Sequence, residues 1–209
     1  TCLKLSLCFS VSGVLLVLMA KLKIIEKKMI ADSYIAPITN FIKKYGKFAL
    51  IILFLISLYR IADVVMGVMA NIFYLEKGYK ISEIATYSKF FGVFATILGG
   101  FIGGYCSYKF GTMKSLFCGA LIAATSNLLF AWLAISPISI NFLITVITAD
   151  NISSGFAGAA FVIYLSGLTS IKFTATQYAL FSSIMLFIPK LIAGYAGSWV
   201  DYMGYPYFF

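Results

Sequence analysis

The chain has 209 residues, of which 62% are hydrophobic and only 11% are charged, and it contains no histidine. Soluble domains carry roughly 25% charged residues, so this composition indicates a membrane protein. The lack of histidine excludes histidine-based catalysis and histidine metal ligands. The net charge of +9 does not indicate nucleic-acid binding, because seven of the sixteen basic residues fall between Lys21 and Lys47. That clustering is typical of a cytoplasmic loop under the positive-inside rule.

Six apolar stretches are long enough to cross a bilayer, and a seventh begins near residue 205 and stops with the chain. They cover residues 3–20, 48–75, 85–107, 115–135, 141–170 and 177–200. We therefore predict an all-α membrane protein with six transmembrane helices plus a truncated seventh. Because the chain begins with Thr1 and stops inside an apolar segment, we expect a fragment of a longer transporter, cut at both ends.

The lysine-rich segment 21–47 is predicted to be a cytoplasmic amphipathic linker. Apolar and aromatic residues recur in it at helical steps, at positions 30, 34, 38, 41 and 45, with an interruption near Pro37. We expect this helix to lie on the inner membrane face and to anchor to anionic lipid. Residues 1–20 are predicted to be the last helix of an N-terminal bundle, and residues 48–209 to form a C-terminal transporter bundle. Because successive spans cross the membrane in opposite directions, we expect turns 108–114 and 171–176 inside the cell and turns 76–83 and 136–140 outside.

Glycines mark two turns that lie three spans apart. Gly104 and Gly111 bracket the first turn, and Gly197, Asp201 and Gly204 mark the second with similar spacing. This arrangement favours the nested three-plus-three inverted repeats of one half of a major facilitator transporter. Small residues also recur at four-residue steps within spans, which predicts close helix packing. The packing residues are Gly92, Gly100 and Gly104 in one span and Gly155 in another.

Five charged residues lie inside the apolar spans, namely Arg60, Asp63, Lys89, Asp150 and Lys190. A charge at the bilayer centre costs about 2.5–3.5 kcal/mol on insertion scales, so it normally faces a bundle interior or a water-filled path. Arg60 and Asp63 share a helical face and can pair. The pair is interpreted either as a structural salt bridge inside the bundle or as part of a gate or substrate clamp. Asp150 is either a proton carrier or the partner of a lysine. Two amides accompany these charges on the predicted pathway, Asn71 and Asn151.

Three cations and two anions leave an excess of one positive charge across the spans. If these side chains face one cavity, that cavity favours an anionic solute. The four cysteines are interpreted as apolar fillers, and the few scattered carboxylates predict neither a metal site nor an acid–base pair. We expect no enzymatic activity and no cofactor, although proton coupling is compatible with the sequence.

Five stretches from residue 48 onward form a recognisable series: YRIADVVM at 59–66, YSKFFGVFATILGG at 87–100, DNISSGFAGAAFV at 150–162, FTATQYALFSS at 173–183 and AGSW at 196–199. Together they resemble the C-terminal half of AmpG-type muropeptide permeases. The stretch at 173–183 is the most specific, and it adds Gln177 to the expected pathway residues. The resemblance runs in order and at plausible spacing to the end of the chain.

The resemblance implies a proton-coupled major facilitator of the cell inner membrane that imports anhydro-muropeptides for cell-wall recycling and thereby influences β-lactamase induction. Its expected partners are a small anionic solute, the lipid bilayer and a missing N-terminal half, without nucleic acid. Acetyl-CoA-type or other organic-anion transport is the alternative within the class. A further alternative is a degenerate fragment without transport activity.

Overall fold

The computed structural model describes residue 14 and residues 35–209. The predicted first span 3–20 and most of the linker 21–47 lie outside the described residues. Within residues 35–209 the chain is built from helices joined by short turns. The predicted all-α membrane fold is confirmed, and it fits the C-terminal half of a major facilitator transporter.

The helices are numbered here in chain order over the described residues. The first six are α1 (Ala36–Tyr45), α2 (Phe48–Tyr59), α3 (Ile61–Lys77), α4 (Ile81–Thr86), α5 (Gly92–Phe110) and α6 (Thr112–Ile135). The remainder are α7 (Ile140–Leu168), α8 (Thr174–Ala193), α9 (Ala196–Met203) and α10 (Tyr205–Phe208). A π-helical turn, Tyr87–Phe91, joins α4 to α5, and a 3₁₀ turn, Ile171–Phe173, precedes α8.

Five helical stretches in the described residues are long and apolar enough to span a membrane, as expected for residues 48–200. They are Phe48–Lys77, Ile81–Phe110, Thr112–Ile135, Ile140–Leu168 and Ile171–Ala193. Their outer faces carry many exposed apolar side chains, such as Phe54 on α2 and Phe101 on α5. Such faces suit contact with lipid, where a soluble protein would place polar groups.

The last complete span differs from its predicted bounds of 177–200. Helix α8 begins at Thr174 and ends at Ala193, and α9 follows as a separate helix. Gly194 terminates α8 five residues after the internal Pro189. Proline removes one helical hydrogen bond, and glycine costs about 1 kcal/mol more than alanine inside a helix, so the break falls there. Hydropathy alone does not reveal this helix break, because the apolar run continues past it.

The buried residues form three apolar clusters. One joins α3, α6 and α7 through Phe73, Phe130, Leu133, Leu143 and Val146. A second joins α1, α2, α7 and α8 through Phe41, Ile56, Phe161, Leu165 and Phe181. The third joins α3, α8 and α9 through Val65, Met69, Ala193, Ala196 and Val200. Helix α1, the described part of the linker, is therefore packed into the bundle.

Candidate functional site

Arg60 and Asp63 form an ion pair at the joint between α2 and α3. Arg60 is the residue that separates the two helices, and Asp63 lies in the first turn of α3. The Nη1 group of Arg60 donates to Oδ2 of Asp63, and the two side chains are only 20% and 16% exposed. A carboxylate in this position also interacts favourably with the positive end of the α3 dipole. The pair thus places two opposite charges at a break in the first described span.

Asp150 lies near the middle of α7 and is half-buried. Among the described residues the only ion pair is that of Arg60 and Asp63, so Asp150 has no ion-pair partner in this part of the chain. The structure thus pairs two of the five predicted charges and leaves Asp150 unpaired on a different helix.

A cleft of about 360 Å³ brings together two other predicted pathway residues, Asn71 and Lys89. It is lined by Asn71, Leu75, Ile81, Ile84, Ala85, Ser88 and Lys89. Lys89 comes from the π-helical turn, a distortion that often occurs at functional sites. Lys89 is the one charged residue in this cleft. Ser88 adds a hydroxyl that no sequence pattern distinguishes from the many other serines of the spans.

Asn151 lies beside Asp150 but is engaged with a neighbouring helix. Its Nδ2 donates to the carbonyl of Ile147 at 2.8 Å. The hydroxyl of Thr96 on α5 lies 3.0 Å from its Oδ1 and 2.8 Å from the carbonyl of Gly92, and donates to one of them at a time. The structure therefore places Asn151 in the α5–α7 contact, and its predicted pathway role stays a prediction.

Gln177 and Lys190 lie at opposite ends of α8. Gln177 is only 1% exposed, and its amide bonds to groups in α1 and in the turn before α8. Lys190 is exposed and follows the buried Pro189 near the end of the helix. Neither residue lines the cleft that holds Asn71 and Lys89. The described structure thus does not gather all predicted pathway residues into one cavity.

The closest helix approach is between α5 and α7, and glycines permit it. A Cβ on Gly155 would lie 2.2 Å from the carbonyl oxygen of Thr96, and one on Gly99 would lie 2.1 Å from that of Ile152. Gly103 is equally confined, at 2.5 Å from the carbonyl oxygen of Phe156. On α5, the glycines closest to α7 are thus Gly99 and Gly103. They lie beside the predicted packing row of Gly92, Gly100 and Gly104.

The other predicted packing glycines are less confined. A Cβ on Gly92 would meet the side chain of Asn151 at 3.2 Å, and one on Gly100 would reach a backbone oxygen only at 3.9 Å. Gly104 and Gly197 have no heavy atom within 4 Å of that position. Close packing at Gly104 is therefore not observed among the described residues.

The two predicted glycine turns have backbone geometry that favours glycine. Gly111 has φ +88° between α5 and α6, and Gly204 has φ +77° between α9 and α10. Residues with a side chain rarely adopt these conformations. Asp201 is exposed on α9, one turn before Gly204. No group of three or more metal-ligating side chains occurs among the described residues.

No family model matches the chain, but curated proteins of Rickettsia are similar to it. A protein of Rickettsia conorii named "Putative transporter AmpG 4" is 34% identical over 189 residues, covering 90% of this chain and 45% of that protein. The protein of the same name in Rickettsia felis is 32% identical over 208 residues, covering 96% and 50%. "Putative transporter AmpG 1" of Rickettsia bellii is 38% identical over 156 residues, covering 74% and 38%. The chain spans about half the length of the curated relatives it matches.

Proposed function

This chain belongs to the AmpG-type transporter family, and on that premise we propose that it forms one half of a permease for anionic muropeptides. The chain is a multi-pass membrane protein with five spans among its described residues. We assign it to the cell inner membrane, with the lysine-rich linker in the cytoplasm. Alternating access in this class requires two bundles, so the second wall of the pathway is assigned to an N-terminal half.

The cleft that contains Lys89 and Asn71 is the observation that carries this proposal. Lys89 is exposed at this cleft and is its one charged residue, so no counter-charge is offered to its ammonium group by the other lining residues. An anionic group of a solute that enters the cleft would supply that counter-charge. The amides and hydroxyls of a muropeptide find polar partners in Asn71 and Ser88. We therefore assign to Lys89 the role of binding a carboxylate of the solute.

Asp150 is proposed to carry the coupling proton. It is half-buried within a membrane span and has no ion-pair partner among the described residues, so a bound proton would spare an uncompensated charge in the bilayer interior. The charge of Asp63 is already compensated by Arg60. In this proposal Arg60 and Asp63 hold the joint between α2 and α3, and Asp150 exchanges the proton.

Uptake of labelled anhydro-muropeptide tests the proposal. This chain is expressed alone and together with the N-terminal half of the Rickettsia conorii relative, and both are followed to the membrane by immunoblot. We expect uptake by the pair and none by this chain alone. Lys89→Gln should raise the apparent KM by about tenfold, corresponding to about 1.4 kcal/mol of lost binding. Lys80→Gln, an exposed lysine outside the cleft, is the matched control and should leave KM unchanged.

Four outcomes would contradict this account. Uptake by this chain alone would show that it is not half of a pathway, and no uptake by the membrane-inserted pair would contradict the transport proposal. Transport of acetyl-CoA in place of muropeptide would move the chain to the alternative solute class. Unchanged affinity in both Lys89→Gln and Lys190→Gln would remove the electrostatic basis for an anionic solute.

A further inference from the structure

Helix α1 packs one face into the bundle, which is more than a surface tether requires. Phe41 is only 2% exposed and meets the ring of Phe181 on α8 edge-on, with ring centroids 4.8 Å apart. Tyr45 packs against Phe41 at 5.0 Å. Burial of a phenylalanine is a large apolar contribution, so this contact is substantial for a helix of ten residues.

A buried polar network joins the same helix to the start of α8. The Nε2 group of Gln177 donates to the carbonyl of Pro37 at 2.8 Å, and its Oε1 accepts from the backbone N–H of Ser170 at 2.7 Å. The Ser170 hydroxyl lies 3.1 Å from Gln177 Oε1 and 3.0 Å from Oδ1 of Asn40. Gln177 thus bonds to the linker helix and to the α7–α8 turn at once.

A second pair of contacts reaches the end of α7. Leu168 is the last residue of α7, and its carbonyl has no partner within its own helix. The Tyr45 hydroxyl and the Lys44 ammonium donate to it at 3.2 and 3.3 Å. A cation at this end of a helix also interacts favourably with the helix dipole. Helix α1 therefore contacts the end of α7, the turn and the start of α8.

We propose that α1 is a strap, that is, a helix docked across the turn between α7 and α8, and that the hydrogen bonds of Gln177 hold it there. The strap makes α1 part of the C-terminal bundle, so it moves with α8 when the transporter changes conformation. Docking depends on protein contacts and not on anionic lipid, because its main contacts, Phe41, Phe181 and Gln177, are buried in the bundle. The outward side chains Ile38 and Ile42 remain exposed, and they take no part in these contacts. This inference concerns the linker alone and does not depend on the solute or on transport.

Hydrogen exchange of this chain in lipid nanodiscs tests the strap, read at the amides of residues 36–45 and 169–173. Gln177→Met, which keeps the length of the side chain but deletes its amide, should speed exchange of both segments by about tenfold or more. That factor corresponds to the loss of about 1.4 kcal/mol, within the range for buried hydrogen bonds. Asn40→Ala is the milder variant and should speed exchange about threefold. Thr39→Ala is the matched control, since the Thr39 hydroxyl bonds only within its own helix and is exposed.

The same measurement in nanodiscs with and without anionic lipid separates the strap from a membrane anchor. Protection of residues 36–45 that is equal in both lipids supports the strap. Protection that disappears in neutral lipid would overturn it, as would unchanged exchange in both Gln177→Met and Asn40→Ala. If Gln177→Met does not insert into the nanodisc, the comparison of Asn40→Ala with Thr39→Ala decides. Asn40 is only partly buried, and its removal leaves the apolar contacts of Phe41 intact.

Discussion

The ion pair of Arg60 and Asp63 shows how much a single pairing matters in an apolar bundle. Both side chains are largely buried, so each charge loses most of its hydration and depends on the other. The pairing also explains how a helix break is tolerated there, since Arg60 lies at the joint and its side chain is held by the first turn of α3. A buried pair of this kind specifies geometry at least as much as it stabilises the fold.

We expect the single variants Arg60→Gln and Asp63→Asn each to destabilise the protein more than the double variant does. Removing one partner of a buried pair typically costs about 3–5 kcal/mol, because the other charge remains buried and uncompensated. The double variant replaces the pair with neutral groups that hydrogen-bond, so part of that cost is recovered. Unfolding free energies of the four proteins in detergent form the cycle that measures this coupling. Additive effects of the two substitutions would show that the side chains do not depend on each other.

Two predicted pathway residues illustrate what sequence does not resolve at the scale of a residue. Gln177 and Asn151 are amides inside apolar spans, and such residues are expected either on a polar path or in a helix contact. In the described structure Gln177 bonds to the linker helix, and Asn151 lies against Thr96 of α5. Helical position alone does not distinguish these cases, because the partner of an amide depends on which helix packs beside it.

At the scale of the element, the approach of α5 to α7 depends on the absence of side chains. Gly99, Gly103 and Gly155 each place a backbone hydrogen where a Cβ would collide with the carbonyl of the facing helix. Close approach of this kind increases van der Waals contact, which is a main source of helix association in lipid. The sequence identifies α5 as the glycine-rich packing helix, but two overlapping rows of glycines leave the contacting side undetermined.

Gly155→Ala should destabilise the protein strongly, whereas Gly158→Ala on the same helix should not. The new Cβ at position 155 would lie 2.2 Å from the Thr96 carbonyl oxygen, while position 158 has no heavy atom within 4 Å. Overpacking of a tight contact costs typically about 1–3 kcal/mol, and separation of α5 from α7 would also weaken the Thr96–Asn151 hydrogen bond. Thermal unfolding in detergent measures both variants. Equal midpoints would mean that α5 and α7 pack less closely than the structure indicates.

At the scale of the whole molecule, charge in the turns is the signal for orientation. The linker carries seven lysines against Glu26 and Asp32, and the turns at 108–114 and 171–176 carry lysines and no acidic residue. Turn 76–83, in contrast, balances Lys77 and Lys80 with Glu76 and Glu83. Helix α1 packs beside the α7–α8 turn, so the linker and that turn lie at the same end of the bundle. The linker helix and turn 171–176 are therefore expected on the same side of the membrane, and the orientation of the bundle stays a prediction.

We expect Lys172→Cys and Lys80→Cys to be labelled from opposite sides of the membrane. Lys172 is exposed in the turn before α8, and Lys80 is exposed in the turn before α4. In intact cells carrying a variant without native cysteines, a membrane-impermeant maleimide should label position 80 only. Both positions should be labelled after permeabilisation, which controls for reactivity. Labelling of position 172 in intact cells would reverse the orientation and place the linker outside.

The sequence by itself determined the class of the protein, the number of described spans and the turns that join them. Those features follow from apolar length and from glycines with positive φ, which are local properties of the chain. Only the tertiary structure decided which distant polar residues meet: Asn71 with Lys89 in a cleft, Asn151 with Thr96, and Gln177 with the linker helix. These pairings depend on helix rotation and on contacts between residues as far as 140 positions apart, and hydropathy along one chain carries no information about either.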